Sequence, residues 1–227
     1  MNDATETTQR EIAMQRDKPA YYPVCLDLRR RRTLVVGGGK VAARKAAALR
    51  AAGAEVTVVA PLIDPKLKDD ASLDIHERPF RTTDLHNITL VIAATDDEVL
   101  NRTIARDAQD LGVLVNVVDC PALCSFVLPA TLKHGHVQVS VSTAGSSPTL
   151  ARKLRDLVAE TVGPEYGQLA SILAELRARV IEALPDHQQR AELFERLTDT
   201  HFLSLIRDGK TDQARTEMLE LVKNAGA

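Results

Sequence analysis

A β-branched run that ends in three consecutive glycines and passes straight into an alanine-rich stretch leaves this chain few folds. The segment is Leu34-Val35-Val36-Gly37-Gly38-Gly39-Lys40-Val41-Ala42. It predicts a strand, a tight glycine turn carrying Lys40, and a helix over Val41–Ala52, where Ala and Leu dominate. Gly37, Gly39 and Ala42 occupy the three small-residue positions of the G-x-G-x-x-G/A pattern. The first allows the turn, the second lets backbone approach a pyrophosphate, and the third lets helix pack on strand. Backbone N–H groups at such a helix start, including that of Val41, face the phosphates with the helix dipole behind them. The competing reading is a glycine turn that only packs strand against helix and holds no nucleotide.

The rest of the first two thirds repeats the theme. Short β-branched segments at Thr33–Val36, Glu55–Val59, Thr89–Ala93, Val113–Val118 and Val137–Val141 alternate with helical stretches at Val41–Ala52 and Glu98–Leu111. Leu73–Phe80 reads as a further short strand. Strand–helix alternation of this kind predicts an α/β fold with a Rossmann-type parallel sheet. After Pro148 the apolar spacing becomes helical, as in Leu150, Leu154, Leu157 and Val158. Gly163-Pro164, Leu184-Pro185 and Asp208-Gly209 divide that region into about four helices. The expected organisation is a frayed leader over 1–19, a dinucleotide-binding domain over 20–112, a strand region over 113–147 and a helical domain over 148–227.

Composition excludes several classes of function. Lys and Arg total 29 against 31 Asp and Glu, a net charge of -2, so no basic surface draws the chain to nucleic acid. The Arg29–Arg32 run reads as an exposed turn, because no aromatic cluster accompanies it. Apolar runs such as Leu90–Ala94 fall far short of the roughly 20 residues a membrane span needs. Met1–Lys18 lacks the apolar stretch of a signal peptide. Three cysteines are too few for a disulfide scaffold, and an odd count fits a reducing cytoplasm.

One part of the dinucleotide fingerprint is missing. An acidic residue usually follows by about 20 positions to hold the ribose hydroxyls, but this chain has Val59-Ala60-Pro61-Leu62 there, and Asp64 comes late. That strand end does not choose between NAD and NADP. The departure is itself informative beside other landmarks: Tyr22-Pro23-Val24, the glycine turn with Arg44-Lys45, Ala52-Gly53-Ala54, Ala93-Ala94-Thr95-Asp96-Asp97 with Asn101, Asn116-Val117-Val118-Asp119, Phe126-Val127-Leu128-Pro129-Ala130, and Ser142-Thr143-Ala144-Gly145-Ser146-Ser147-Pro148. In this order they resemble the precorrin-2 dehydrogenase/sirohydrochlorin ferrochelatase family, which forms the N-terminal half of the long siroheme synthases. The resemblance runs from Tyr22 to about Ala183, with a looser helical match beyond. That family too commonly has Ala-Pro where the ribose acid would be.

The resemblance implies NAD-dependent oxidation of precorrin-2 to sirohydrochlorin, with ferrous iron, as a substrate, then inserted in the same site to give siroheme. It implies an intertwined homodimer built through a central strand region, here near Val113–Ser142. Because the chain stops at Ala227, the methyltransferase half of the long enzymes is expected to be absent and precorrin-2 to come from a separate enzyme. The cofactor would lie against Gly37, Gly39, Lys40, Val41, Ala42, Ala60, Pro61, Leu62, Thr95 and Asp96. Asp119 matches the acidic residue to which the family assigns both reactions. It ends a strand, where ligand sites in open α/β sheets gather, and could accept a proton as hydride leaves. As residues alone, an Asp just before Pro121 is as readily a turn former.

Ser142, Thr143, Gly145 and Ser146 belong to a small-residue loop of the kind the family places near the tetrapyrrole, where hydroxyls and amides could hold carboxylates. A capping-only role for that loop stands beside this reading. Thr95, Asp96 and Asp97 read strongly as ordinary helix N-caps, and a capped helix start beside the cleft can also touch the nicotinamide ribose. Arg152, Lys153 and Arg155 could meet substrate carboxylates or form a solvated helix face. No resident metal site is predicted. His134-x-His136 would share one face of a strand, and Cys120-x-x-x-Cys124 lacks the co-ligands a zinc site needs, so Cys124 is given no role. Two rival functions remain: a dehydrogenase without chelatase activity, and a regulatory NAD-binding module that needs neither Asp119 nor the serine loop.

Overall fold

The computed structural model describes residues 21–226, so the expected frayed leader over 1–19 lies outside the described residues. The chain divides between Leu128 and Pro129 into two compact units.

The first unit is a five-stranded parallel sheet with helices on both faces. Its elements are β1 (Arg32–Val36), α1 (Lys40–Ala51), β2 (Glu55–Ala60), the short α2 (Pro65–Lys68), β3 (Asp74–Glu77), β4 (Leu90–Ala93), α3 (Glu98–Asp110) and β5 (Leu114–Val117). Strand order is β3-β2-β1-β4-β5, the Rossmann arrangement. Parallel strands covered on both faces read as unbroken apolar runs. Accordingly Leu34, Val35 and Val36 are all buried, as are all four residues of β4. The period-2 side-chain alternation then sorts them. Leu34, Val36, Val59, Val91 and Ala93 pack with Ile104, Ala105 and Ala108 of α3. Val35, Val58, Leu90 and Ile92 pack with Ala42, Ala46 and Leu49 of α1.

Val36 is level with Val59 and Ala93, and Ala93 with Val117, so the loops after β1, β2, β4 and β5 leave the sheet at one edge. The order reverses between β1 and β4, which places the crevice expected of such sheets at that edge. β5 is therefore a sheet strand that buries Val115 and Val117 in the α3-side core. The expected boundary at 112 is corrected on this ground, since it would cut the sheet between two hydrogen-bonded strands.

Away from the cleft, Asp107 of α3 is 9% exposed and accepts hydrogen bonds from Thr82 Oγ1 at 2.7 Å and from the Arg106 guanidinium at 2.9 Å. The Thr82 bond, then the Arg106 bond, hold its carboxyl below the usual carboxylate range. A carboxylate with a lowered folded-state pKa adds stability above its unfolded pKa and loses it as pH falls through the folded one. Thr82→Val is thus expected to cost about 1 kcal/mol at neutral pH. Urea unfolding of variant and parent should show that difference shrinking in acid, below the ordinary carboxylate range.

The second unit begins with a hairpin of β6 (Ala130–His134) and β7 (Val137–Val141), paired antiparallel with Ala130 opposite Val141. Gly135 and His136 form its turn, with Gly135 at φ 55°. His134 and His136 therefore do not share a strand face, contrary to the sequence expectation, because the chain reverses between them. Five helices follow among the described residues: α4 (Pro148–Thr161), α5 (Pro164–Ala183), α6 (His187–Leu197), α7 (Thr200–Arg207) and α8 (Thr211–Ala225). The additional break comes at Asp199, whose carboxylate caps α7 by accepting from the His201 N–H at 2.8 Å. No glycine or proline marks it. Ile172, Val180, Leu197, Phe202 and Met218 lie in the core formed by α5–α8. Among the described residues, no helix is long and apolar enough to cross a membrane.

Candidate active site

The loops at the carboxyl edge of the first unit's sheet enclose a cleft of about 1380 Å³. The glycine turn lines it. Gly37 has φ 132°, and a Cβ there would lie 2.3 Å from the Ala94 carbonyl oxygen. A Cβ on Gly38 would come within 1.8 Å of the Leu62 carbonyl oxygen. Packing alone explains these two glycines. Gly39 is different: a Cβ there would meet no heavy atom within 4 Å, and its φ of -90° suits any residue. Among the described residues nothing requires a glycine at this position.

The two helix starts facing the cleft differ in a related way. At α3, Asp97 caps the helix, its Oδ1 accepting from the N–H groups of Val99 at 2.9 Å and Leu100 at 3.0 Å. At α1, Gly39 is the N-cap, no side chain among the described residues caps the helix, and no acidic residue stands in its first turn. Uncapped N–H groups and the positive dipole end make a site for an anion. The bare approach above Gly39 leaves room for one. A dinucleotide's pyrophosphate fits this donor set.

Gly37, Gly39, Lys40, Val41, Ala60, Pro61, Leu62, Thr95, Asp96 and Asp119 all line the cleft. Ala42 does not; it is fully buried against the sheet, in the helix-packing role of the third small residue. At the end of β2 the Asp64 carboxylate accepts from the Lys66 N–H at 2.9 Å and caps α2. Leu62, 85% exposed, stands where the ribose acid would be. After β4, Thr95 is held rather than free. Its hydroxyl donates to Asn101 Oδ1 at 2.8 Å, and Asn101 Nδ2 donates to the Thr95 carbonyl at 2.9 Å. Asn101 is 9% exposed and itself lines the cleft.

Asp119 follows β5 with its backbone in the left-handed region, φ 57°. Asp and Asn tolerate that conformation better than other non-glycine residues. Its side chain is exposed and makes no hydrogen bond among the described residues. Lys45, on α1, is half-buried; burial lowers its amine pKa most, Arg44 adds to that, and Asp119 and Cys124 act in the opposite sense. A cation thus stands within electrostatic reach of Asp119. Pro79 and Phe80 also line the cleft, and only their place after β3 in the fold brings them there.

Ser142, Thr143, Gly145 and Ser146 lie in the second unit, between β7 and α4. The loop is internally bonded. Ser147 caps α4 by accepting from the Leu150 N–H at 3.2 Å, and the Thr143 hydroxyl donates to the Ser147 carbonyl at 3.0 Å. Ala144 and Gly145 both have positive φ, 50° and 81°. Arg155 is paired with Asp156, while Arg152 and Lys153 are exposed.

Three family models match in succession. Residues 24–130 match one described as "Putative NAD(P)-binding", residues 134–161 match "Sirohaem biosynthesis protein central", and residues 165–222 match "Sirohaem synthase dimerisation region". The dimerisation match falls on the helices from α5 onward. The chain is 40% identical over 203 residues to a siroheme synthase of Methylococcus capsulatus, covering 88% of this chain and 43% of that protein. It is 42% identical over 209 residues to one of Thioalkalivibrio sulfidiphilus, covering 91% and 42%. The chain thus spans less than half the length of these relatives. Among solved structures it resembles "SirC, precorrin-2 dehydrogenase", with a TM-score of 0.76 and 25% identity over 90% of this chain and 100% of that one. A putative NAD(P)-binding region, a sirohaem-biosynthesis central region and a sirohaem-synthase dimerisation region are thus matched in that order along the chain.

Proposed function

We propose that this protein oxidises precorrin-2 to sirohydrochlorin with NAD and then inserts ferrous iron to give siroheme, acting as a cytoplasmic homodimer. The observation that carries the reading is one cleft that joins an uncapped, side-chain-free helix start at Gly39 to an exposed carboxylate at Asp119. The relatives named siroheme synthase and the fold of a precorrin-2 dehydrogenase support it.

NAD bound along the glycine turn supplies the hydride acceptor. The N–H groups at the start of α1 hold its phosphates, and Gly39 lets them approach. Ala60, Pro61 and Leu62 present backbone and apolar surface where a ribose acid is missing, and the Thr95–Asn101 pair fixes the loop after β4. Precorrin-2 gives up one hydrogen as hydride and one as a proton, and Asp119 takes the proton. In the second reaction iron replaces two pyrrole protons, which the same carboxylate accepts in turn. The macrocycle nitrogens bind the metal, so no protein cage is required. Ser142, Thr143, Gly145 and Ser146, with Arg152 and Lys153, are assigned to the substrate's carboxylates.

Anaerobic incubation with enzymatically prepared precorrin-2 and NAD tests this, followed by absorbance. NADH and sirohydrochlorin should appear together, and added ferrous iron should yield siroheme faster than the spontaneous reaction. Siroheme forming no faster than without protein would reduce the proposal to its dehydrogenase half.

The homodimer has support of its own. Leu150, Leu154 and Leu157 follow one face of α4 at 48%, 40% and 60% exposure, and no residue of β6 or β7 is fully buried. An apolar stripe of this kind marks an interaction surface. Replacing Leu154 and Leu157 together by Glu is expected to turn the dimer into monomer in light scattering, with NAD affinity unchanged.

A further inference from the structure

We propose that Asn116, Cys124 and Ser125 form a clasp along the free edge of β5 that positions Asp119. This inference rests on the assignment of Asp119 as the base and adds residues that neither the family matches nor the fold assigns. β5 pairs with β4 on one side only. The N–H groups of Leu114 and Val118 point to that partner, bonding to Thr89 and Ala93 carbonyls. Those of Val115 and Val117 point the other way, to the bare edge of the sheet.

Among the described residues no sixth strand covers that edge; the segment that carries Cys124 and Ser125 does. The Val115 N–H donates to Ser125 Oγ at 2.7 Å, and the Ser125 N–H donates back to the Val115 carbonyl at 2.8 Å. The Val117 N–H donates to Cys124 Sγ at 3.2 Å, and the thiol faces the Val117 and Cys120 carbonyls, each at 3.3 Å. Asn116, 8% exposed, donates from Nδ2 to the Phe126 carbonyl at 3.0 Å.

Between these anchors the chain must leave β5, turn and return. It does so through the left-handed residue Asp119 and the short helical turn Pro121–Leu123. Both ends of that excursion are tied, so the placement of the Asp119 carboxylate follows from the clasp. Cys124 must both accept from an N–H and donate to a carbonyl, which a neutral thiol does and a thiolate does not. Its pKa is raised, chiefly by burial, in keeping with that role.

These residues act through Asp119 and touch no reacting atom, so they are positioning residues. The test compares Cys124→Ser, which keeps a donor and an acceptor, with Cys124→Val, which keeps volume and loses both. NAD affinity and kcat for precorrin-2 oxidation are measured for each in the intact protein. Misplacement of a catalytic group by about 1 Å can cost roughly 100-fold. Cys124→Val should therefore lose about 10- to 100-fold in kcat at unchanged NAD affinity, and Cys124→Ser should recover most of it. Equal kcat in both variants at unchanged NAD affinity would overturn the proposal. So would parallel loss of kcat and NAD affinity in both, which marks a fold defect. Ser125→Ala gives a second reading of the same clasp if Cys124→Val does not fold. Asp119→Asn run alongside separates the two levels: if that variant keeps full activity, the base assignment fails, whatever the cysteine variants show.

Discussion

Asp119→Asn is expected to slow precorrin-2 oxidation by roughly 100- to 10,000-fold, the span over which general acid–base groups act, with NAD affinity unchanged. Asn keeps the size of the side chain and, like Asp, tolerates the left-handed backbone seen at φ 57°. The turn after β5 therefore survives the change. The Asp119 side chain makes no hydrogen bond to the described residues, so the substitution breaks none. What is lost is the capacity to take a proton. Asp119→Ala would mix that loss with strain, since Ala at positive φ is disfavoured. Steady-state kinetics with a parallel NAD titration is the check. A variant that retained more than about a tenth of the parent rate would lie outside the range for a catalytic base.

Gly39→Ser should move stability and cofactor binding in opposite directions. Ser is a better N-cap than Gly by a few tenths of a kcal/mol, and the position has ordinary backbone angles, with no atom of the described residues beyond its chain neighbours within 4 Å of a new Cβ. The fold should gain slightly. The hydroxyl would then occupy the space and the N–H groups assigned to the pyrophosphate, and NAD affinity should fall by about 100-fold, or ~2.7 kcal/mol. Gly38→Ala should do the reverse in kind. Its Cβ would strike the Leu62 carbonyl oxygen at 1.8 Å, an overpacking and backbone strain on the order of 2–5 kcal/mol. Thermal unfolding and NAD titration of both variants separate a binding glycine from a packing glycine. If Gly39→Ser left NAD affinity intact, the turn would be only a packing device.

What the sequence made legible follows from the length scale of each signal. The glycine turn, β1, β2 and β4 stood out because parallel strands buried on both faces must be apolar throughout, and few other structures demand that. The end of β5 pointed to Asp119 for the same reason. The domain boundary did not emerge, because Val113–Val118 looks alike whether it joins the sheet or starts a new region; only pairing with β4 decides. The break between α6 and α7 was hidden because Asp199 makes it by capping, without glycine or proline. The turn at Gly135-His136 separates the two histidines, and Ala130–His134, which lacks a β-branched run, gave no sign of being the partner strand of Val137–Val141. Cys124 was left without a role because its partners are backbone groups of a strand edge. No residue spacing reports those.

In the proposed reaction the cleft couples a dinucleotide to precorrin-2 through Asp119. Its most direct test is the stoichiometry of a single anaerobic reaction mixture, with the parent protein and Asp119→Asn side by side. NADH and sirohydrochlorin are expected in equal amounts from the parent and almost none from the variant. NAD bound by the parent protein but never reduced in the presence of precorrin-2 would contradict it, and would leave a nucleotide-sensing module as the better description of the same fold.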